Sequence, residues 1–249
     1  MASVAPPGAL LALLMLHATP IQAAGSCSAR SGPAIAPVVE LYTSEGCSSC
    51  PPADAWLSRL KADPGVVALA FHVDYWDRLG WKDRFASAAY TQRQAQSQRS
   101  SGARFSYTPQ VIVDGADRPA WSRAGLPSSA QGRAVASVDV SLARDGKRFS
   151  ASVTAAPGTP ARLAAYWAVT EQGHVSTVRA GENDGATLKH DYVVREYKTV
   201  DAWRAAPDAP ALLAFESTQA ADAAHPRTVN LVIVDADSGR PVQALKLDC

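Results

Sequence analysis

The chain has 249 residues, 47% of them apolar and 19% charged, and a formal net charge of +1. That is the composition of a folded protein with one large domain or two ordinary ones. Its Lys and Arg are scattered rather than gathered into a stripe, which gives no electrostatic footing for nucleic acid.

Residues 1–25 read as a secretory signal peptide. Gly8 to Leu16 is an apolar core, and the small residues Ala23-Ala24-Gly25-Ser26 follow before the first charged side chain, Arg30. The n-region carries no Lys or Arg, only the amino terminus. The apolar run is shorter than the roughly 20 residues a membrane span needs, and no later segment approaches that length. The expectation is an exported chain, periplasmic or secreted, with no stable membrane span.

Four cysteines stand at positions 27, 47, 50 and 249, an even number that permits disulfides in an exported chain. Cys47 and Cys50 are close enough to pair with each other. Cys27 and Cys249 then either tie the mature termini together or leave Cys27 as a lipid site, for which Ala24-Gly25-Ser26 lacks the leading aliphatic residue.

Val38 to Tyr42 is a short β-rich run. After the cysteine pair, a helix is expected from Pro51 through Leu60. Proline is tolerated in the first turn, and Ala53, Trp56, Leu57 and Leu60 fall on one face. Val66 to Val73 is a continuous apolar strand, as for a strand covered on both sides. An aromatic and charged loop, Asp74 to Asp83, precedes a polar helix from Asp83 to Arg99. Tyr107 to Asp114 is a third strand ended by Asp114-Gly115, and a last helix is expected over Ser128 to Ala136. This alternation predicts an α/β layer over residues 36–136.

At Ser137 the texture changes. Val138 to Leu142 and Phe149 to Val153 alternate strictly about Asp145-Gly146, a hairpin signature. Further strands are expected at Leu163 to Thr170, Tyr192 to Thr199, Ala211 to Ser217, Thr228 to Asp235 and Val242 to Leu247. Residues 137–249 therefore read as an antiparallel β-sandwich packed directly on the first domain.

Gly46-Cys-Ser-Ser-Cys-Pro51 sits where a strand passes into a helix. A zinc ribbon wants a second C-x-x-C and covalent haem wants His after the second Cys; neither is present. At a helix start a thiolate at Cys47 is favoured, with Cys50 as the resolving thiol. Thr108-Pro109 opens a predicted strand. A cis bond there accounts for the proline and leaves backbone groups at Thr108 free for an extended substrate.

These features resemble the thioredoxin superfamily. Gly46 to Asp54, His72-Val-Asp-Tyr-Trp76, Gly80-Trp-Lys-Asp83 and Tyr107-Thr-Pro-Gln110 resemble, more narrowly, the secreted "domain of unknown function 1223" family, as do Gly181-Glu-Asn183 and His190 to Arg195. The resemblance implies an α/β thioredoxin-like domain followed by a C-terminal antiparallel β-sandwich domain. It also implies thiol–disulfide exchange, with Cys47 as nucleophile, Cys50 as resolver and Pro109 as cis-proline. The narrower family implies no settled activity. Ser48-Ser49 in place of Gly-Pro, and 58 residues between Cys50 and Pro109, depart from thioredoxin.

Other candidates surround this core. Glu40 is a candidate proton relay to Cys50; Glu45, in the loop, ranks below it. Trp76 and Trp81, with Tyr75, are candidates for a substrate platform. His72 and Asp74, two apart on one strand face, offer with the cysteines a copper or zinc site. Gly181 to Gly185 reads as a turn, and His190 and Arg195 as residues that dock on the first domain. The leading expectation is an exported oxidoreductase that needs no cofactor or metal. It acts on protein or small-molecule thiols and disulfides, with a redox partner protein. The alternatives are a binding module with a structural disulfide, or a copper/zinc-binding protein.

Overall fold

The computed structural model describes residues 1–2, 27–130, 132–220 and 222–248. The expected signal peptide beyond its first two residues, and Cys249, lie outside them.

Cys27–Arg30 is β1 and the wholly buried Val38–Thr43 is β2. Helix α1 spans Pro51–Ser58 and continues as a short 3-10 turn, Arg59–Ala62. Val67–His72 is β3. Helix α2, Ala88–Ser101, starts later than its polar pattern predicts, because Ser87 Oγ accepts the Ala89 N–H and fixes the N-cap there. Gln110–Val113 is β4 and Ala116–Asp117 is β5. Val138–Asp145 (β6) and Arg148–Ala155 (β7) form the expected hairpin. The rest is Arg162–Glu171 (β8), His174–Thr177 (β9), Thr187–His190 (β10), Val193–Arg204 (β11), Ala211–Glu216 (β12), Arg227–Asp235 (β13) and Pro241–Leu247 (β14).

The fold class departs from expectation. Among the described residues the structure is mostly β-sheet, 41% strand against 13% helix with two α-helices, and is not an α/β thioredoxin-like domain followed by a separate sandwich. Eight strands join in one mixed sheet, ordered β14-β13-β8-β11-β3-β2-β4-β5, and β1-β6-β7-β12 form a second. The link is β11, which runs parallel to β3 at Val193 and Ala70; the Ala70 N–H donates to Tyr192 O at 2.8 Å. The free edge of β3 is thus closed by a strand more than a hundred residues away. Local periodicity reports strands but not such partners. Likewise β1 pairs with β6, carrying the N-terminal segment across the expected boundary. The helix expected over Ser128 to Ala136 is also absent from the described residues there. Ser128 and Ser129 bond to the Asp63 carboxylate instead, and Ala34 bridges to Val135.

Packing follows from strand alternation. Val39, Leu41, Ala68 and Ala70 face α1, while Tyr42, Leu69 and Phe71 face the side where α2 supplies Tyr90. In β8, Leu163, Ala165, Trp167 and Val169 meet the four-stranded sheet, and Trp167 stacks on Phe215 at 5.6 Å. Tyr166 and Ala168 join the α2 side.

Candidate functional site

The cysteine loop leaves β2 at Thr43 and enters α1 at Pro51. The Cys47 N–H donates to Ser44 O and the Cys50 N–H to Cys47 O. Gly46 is required by close approach: a β-carbon there would come within 3.0 Å of Trp76 Cβ. Cys47 and Cys50 form a disulfide with their Cα atoms 5.4 Å apart. Among the described residues no cysteine is free.

Pro109 stands at the same end of the sheet. Tyr42 pairs with Gln110 across β2 and β4, so the next step of the register sets Pro109 opposite Thr43, where the cysteine loop departs. The Thr108–Pro109 bond is cis. Trp76 ties the two together, its indole N–H donating to Thr108 Oγ1 at 2.8 Å while its Cβ packs on Gly46. Trp81 is anchored too, donating to Glu45 Oε2 at 2.7 Å. Both rings remain half-buried beside the loop.

Two findings alter the electrostatic argument made from the sequence. Pro51 and Pro52 have no N–H, and the next two helical donors, Ala53 and Asp54, are both bonded to Cys50 O. What remains for a Cys47 thiolate is the helix dipole and the Ser49 hydroxyl, 3.4 Å from Cys47 Sγ. Second, both cysteines are 0% exposed, although Ser48 and Ser49 between them face solvent. The turn between β9 and β10 is bonded across this loop. Asn183 Nδ2 donates to Glu45 O and Cys47 O, at 2.8 and 3.0 Å. Glu182 accepts from the Ser48 N–H and hydroxyl, at 3.0 and 2.8 Å, and those bonds hold its carboxyl below the ordinary range. The sequence shows this segment only as a turn; its docking is set by the β9–β10 ribbon.

Glu40 lies elsewhere. It pairs with Arg93 and accepts from Tyr42 and Tyr166, a buried structural network rather than a relay to Cys50. Asp74 accepts from Thr91 Oγ1 at 2.6 Å, bracing the first turn of α2 rather than joining His72.

His72 does gather carboxylates, from segments the sequence does not connect. Its Nδ1 is 2.6 Å from Asp83 Oδ2, which also accepts the Glu45 N–H at 2.9 Å. Burial would push the Asp83 carboxyl up; the His72 ring beside it and the N–H groups of Glu45 and Phe85 outweigh that and hold it at about 2. His190, from β10, sits with Nε2 3.4 Å from Glu45 Oε1 and Nδ1 3.7 Å from Asp54 Oδ1. Burial would push His190 down, but these two carboxylates carry it up to about 9. Burial likewise opposes ionisation of Glu45, which His190 and Trp81 nevertheless bring below the ordinary range. Asp54 was legible only as the residue one helical turn beyond Cys50.

The chain matches the family described as "Protein of unknown function (DUF1223)" over residues 38–234, across both halves of the fold. Among solved structures it is similar to protein AGR_C_4864 from Agrobacterium tumefaciens, with 29% identity, TM-score 0.60, 86% of this chain and 94% of that one covered. It is also similar in fold to HBP35 of Porphyromonas gingivalis, with 13% identity, TM-score 0.57, and coverage of 88% and 76%. No curated protein matches. Among the described residues, no helix is long and apolar enough to cross a membrane.

Proposed function

The chain belongs to the DUF1223 family, which carries no activity with it, and from its own site we propose that it is an exported thiol–disulfide oxidoreductase whose exchanging pair is Cys47 and Cys50. The observation that carries this reading is the shared end of the central sheet, where the cystine opens α1 and the strand that follows Pro109 starts opposite it. The kinship proposed with the thioredoxin superfamily extends to this chemistry, not to the fold.

Exchange begins with displacement of the Gly181–Gly185 turn. That movement takes the Glu182 carboxylate, a negative charge, away from Ser48 next to Cys47, and leaves the helix dipole and the Ser49 hydroxyl to favour a thiolate there. A substrate thiolate then attacks Cys47 Sγ. The Cys47–Cys50 bond breaks and its electron pair leaves on the Cys50 sulfur. A second substrate thiol, deprotonated, attacks the substrate sulfur of the mixed disulfide and expels Cys47 as thiolate. The substrate gains a disulfide and the pair becomes a dithiol; the reverse sequence reduces a substrate. Thr108 and Trp76 lie where an extended substrate segment would run beside Pro109.

The test is a pair of variants. Cys50→Ser should form a stable one-to-one mixed disulfide at Cys47 with glutathione disulfide in native buffer, and should retain exported disulfide-containing proteins in the same linkage. Cys47→Ser should form none. If neither variant reacts until denatured, the second reading holds, which the complete burial of both cysteines favours: the cystine is a staple that shapes the loop.

A further inference from the structure

Below the cysteine loop, five ionisable side chains from separate segments converge out of contact with solvent. Glu45, Asp54, His72, Asp83 and His190 are 0, 6, 0, 2 and 2% exposed. Charged and polar groups are seldom buried like this without partners, because an unpartnered buried atom gives up its hydration for nothing. Yet His72 Nε2 has no partner in the protein, and His190 meets Glu45 Oε1 and Asp54 Oδ1 only as ion pairs at 3.4 and 3.7 Å, without a well-formed hydrogen bond. One potential ligand atom from each of Asp54, His72 and His190 lies within 4.8 Å of the other two, and the imidazoles meet edge to face at 5.0 Å.

The orientation of each group is fixed from behind. His72 Nδ1 lies 2.6 Å from Asp83 Oδ2, and with that nitrogen as donor Nε2 is the one left with a lone pair. Glu45 Oε1 stands 3.4 Å from His190 Nε2 and occupies the same position for that ring, leaving Nδ1 towards Asp54 Oδ1 at 3.7 Å. Asp54 is in turn held by the Thr43 hydroxyl, which donates to Oδ2 at 2.9 Å, so that Oδ1 is the oxygen turned to the histidines. An imidazole whose far nitrogen is braced by a carboxylate is the recurrent arrangement behind metal-bound histidine; His72 shows it with its near nitrogen free, and His190 would exchange its ion pair with Asp54 for an ion shared with it.

We propose that Asp54, His72 and His190 form a site for a divalent transition-metal ion, with Nε2 of His72, Nδ1 of His190 and Oδ1 of Asp54 as ligands and Asp83 and Glu45 as the carboxylates that orient the two rings. Two imidazoles and a carboxylate suit Zn²⁺ or a neighbouring first-row ion, with a fourth position left to a non-protein ligand. Ligand distances of about 2.0–2.2 Å require the three side chains to close in slightly on binding. The cysteines take no part, since both are in the disulfide. The ion would join the β3 end, α1 and the β10 ribbon directly beneath the loop that carries Cys47. This site does not depend on whether the cystine exchanges.

The experiment uses the untagged, full-length, oxidised protein, stripped with a chelator and titrated with Zn²⁺. One equivalent should bind, and X-ray absorption should show only nitrogen and oxygen neighbours, with imidazole scattering. Asp54→Asn, chosen because it keeps the shape of the carboxylate, and His190→Asn should each abolish stoichiometric binding. Asp83→Asn should weaken it about 10- to 100-fold while leaving all three ligands in place. Thermal unfolding of each metal-free variant confirms that it folds. Absence of stoichiometric binding to the parent protein, a sulfur neighbour, or undiminished binding by folded Asp54→Asn would each overturn the proposal.

Discussion

Asn183→Ala should open the cystine to attack. The Asn183 amide donates to two loop carbonyls, at 2.8 and 3.0 Å, and is the firmest neutral contact between the covering turn and the cysteine loop. A neutral hydrogen bond contributes a net of about 0.5–1.5 kcal/mol, so the pair gives the closed arrangement about 1–3 kcal/mol. Both cysteines are fully buried, so attack on Cys47 must pass through a local opening of this cover. Its population, and with it the rate, should rise by about 5- to 150-fold. The assay is reduction of the native protein by dithiothreitol, followed by alkylation of the released thiols and mass analysis, with denaturant stability measured alongside. An unchanged rate in a variant of unchanged global stability would refute the reasoning. So would a rate that rises only as far as global unfolding does.

Three further predictions concern the scaffold. Arg93→Ala leaves the buried Glu40 carboxylate without its counter-charge beside Tyr42 and Tyr166. It should cost about 3–5 kcal/mol in urea unfolding, and a loss below about 1 kcal/mol would contradict the structural role given to Glu40. Gly46→Ala drives a β-carbon against Trp76. It should cost about 1–3 kcal/mol and shift the tryptophan fluorescence as the Trp76–Thr108 bond is disturbed; an unaltered spectrum and stability would tell against it. The Asp63 carboxyl is held below its ordinary value by the Ser129 hydroxyl and N–H, with Gly65 and Ser128 adding to them. Its folded pKa is depressed, so its contribution is complete above about pH 4 and fades as the pH falls further. Asp63→Asn should therefore lower the unfolding temperature more at pH 7 than at pH values below the ordinary carboxylate range; an equal loss at both would be inconsistent with that linkage.

Much of the secondary structure was legible because it rests on local patterns. Alternation in Val138 to Leu142 and Phe149 to Val153 located a hairpin, and Asp145-Gly146 its turn. The apolar run Val66 to Val73 located β3. What could not be read was the partner of β3: Val193 closes its edge, and nothing in either segment encodes the other. Hence the α/β domain and separate sandwich of the sequence reading give way to one continuous mixed sheet. The site divides in the same way. Cys47, Cys50 and Pro109 announce themselves by spacing and residue type. Glu182 and Asn183 do not, because a turn acquires its role only when the β9–β10 ribbon folds over the loop; His190, expected to dock on the first half of the chain, does so at Glu45 and Asp54. Glu40 was misread because alternation gives the face of a strand but not the Arg93 waiting there on α2.

The most direct measurement is the equilibrium of the Cys47–Cys50 pair with reduced and oxidised glutathione in the folded protein. Exchange predicts a reversible interconversion of cystine and dithiol, with a potential in the range of roughly −270 to −120 mV spanned by catalytic pairs of this type. A pair that stays oxidised at every glutathione ratio, and yields its thiols only as the protein unfolds, would contradict the account.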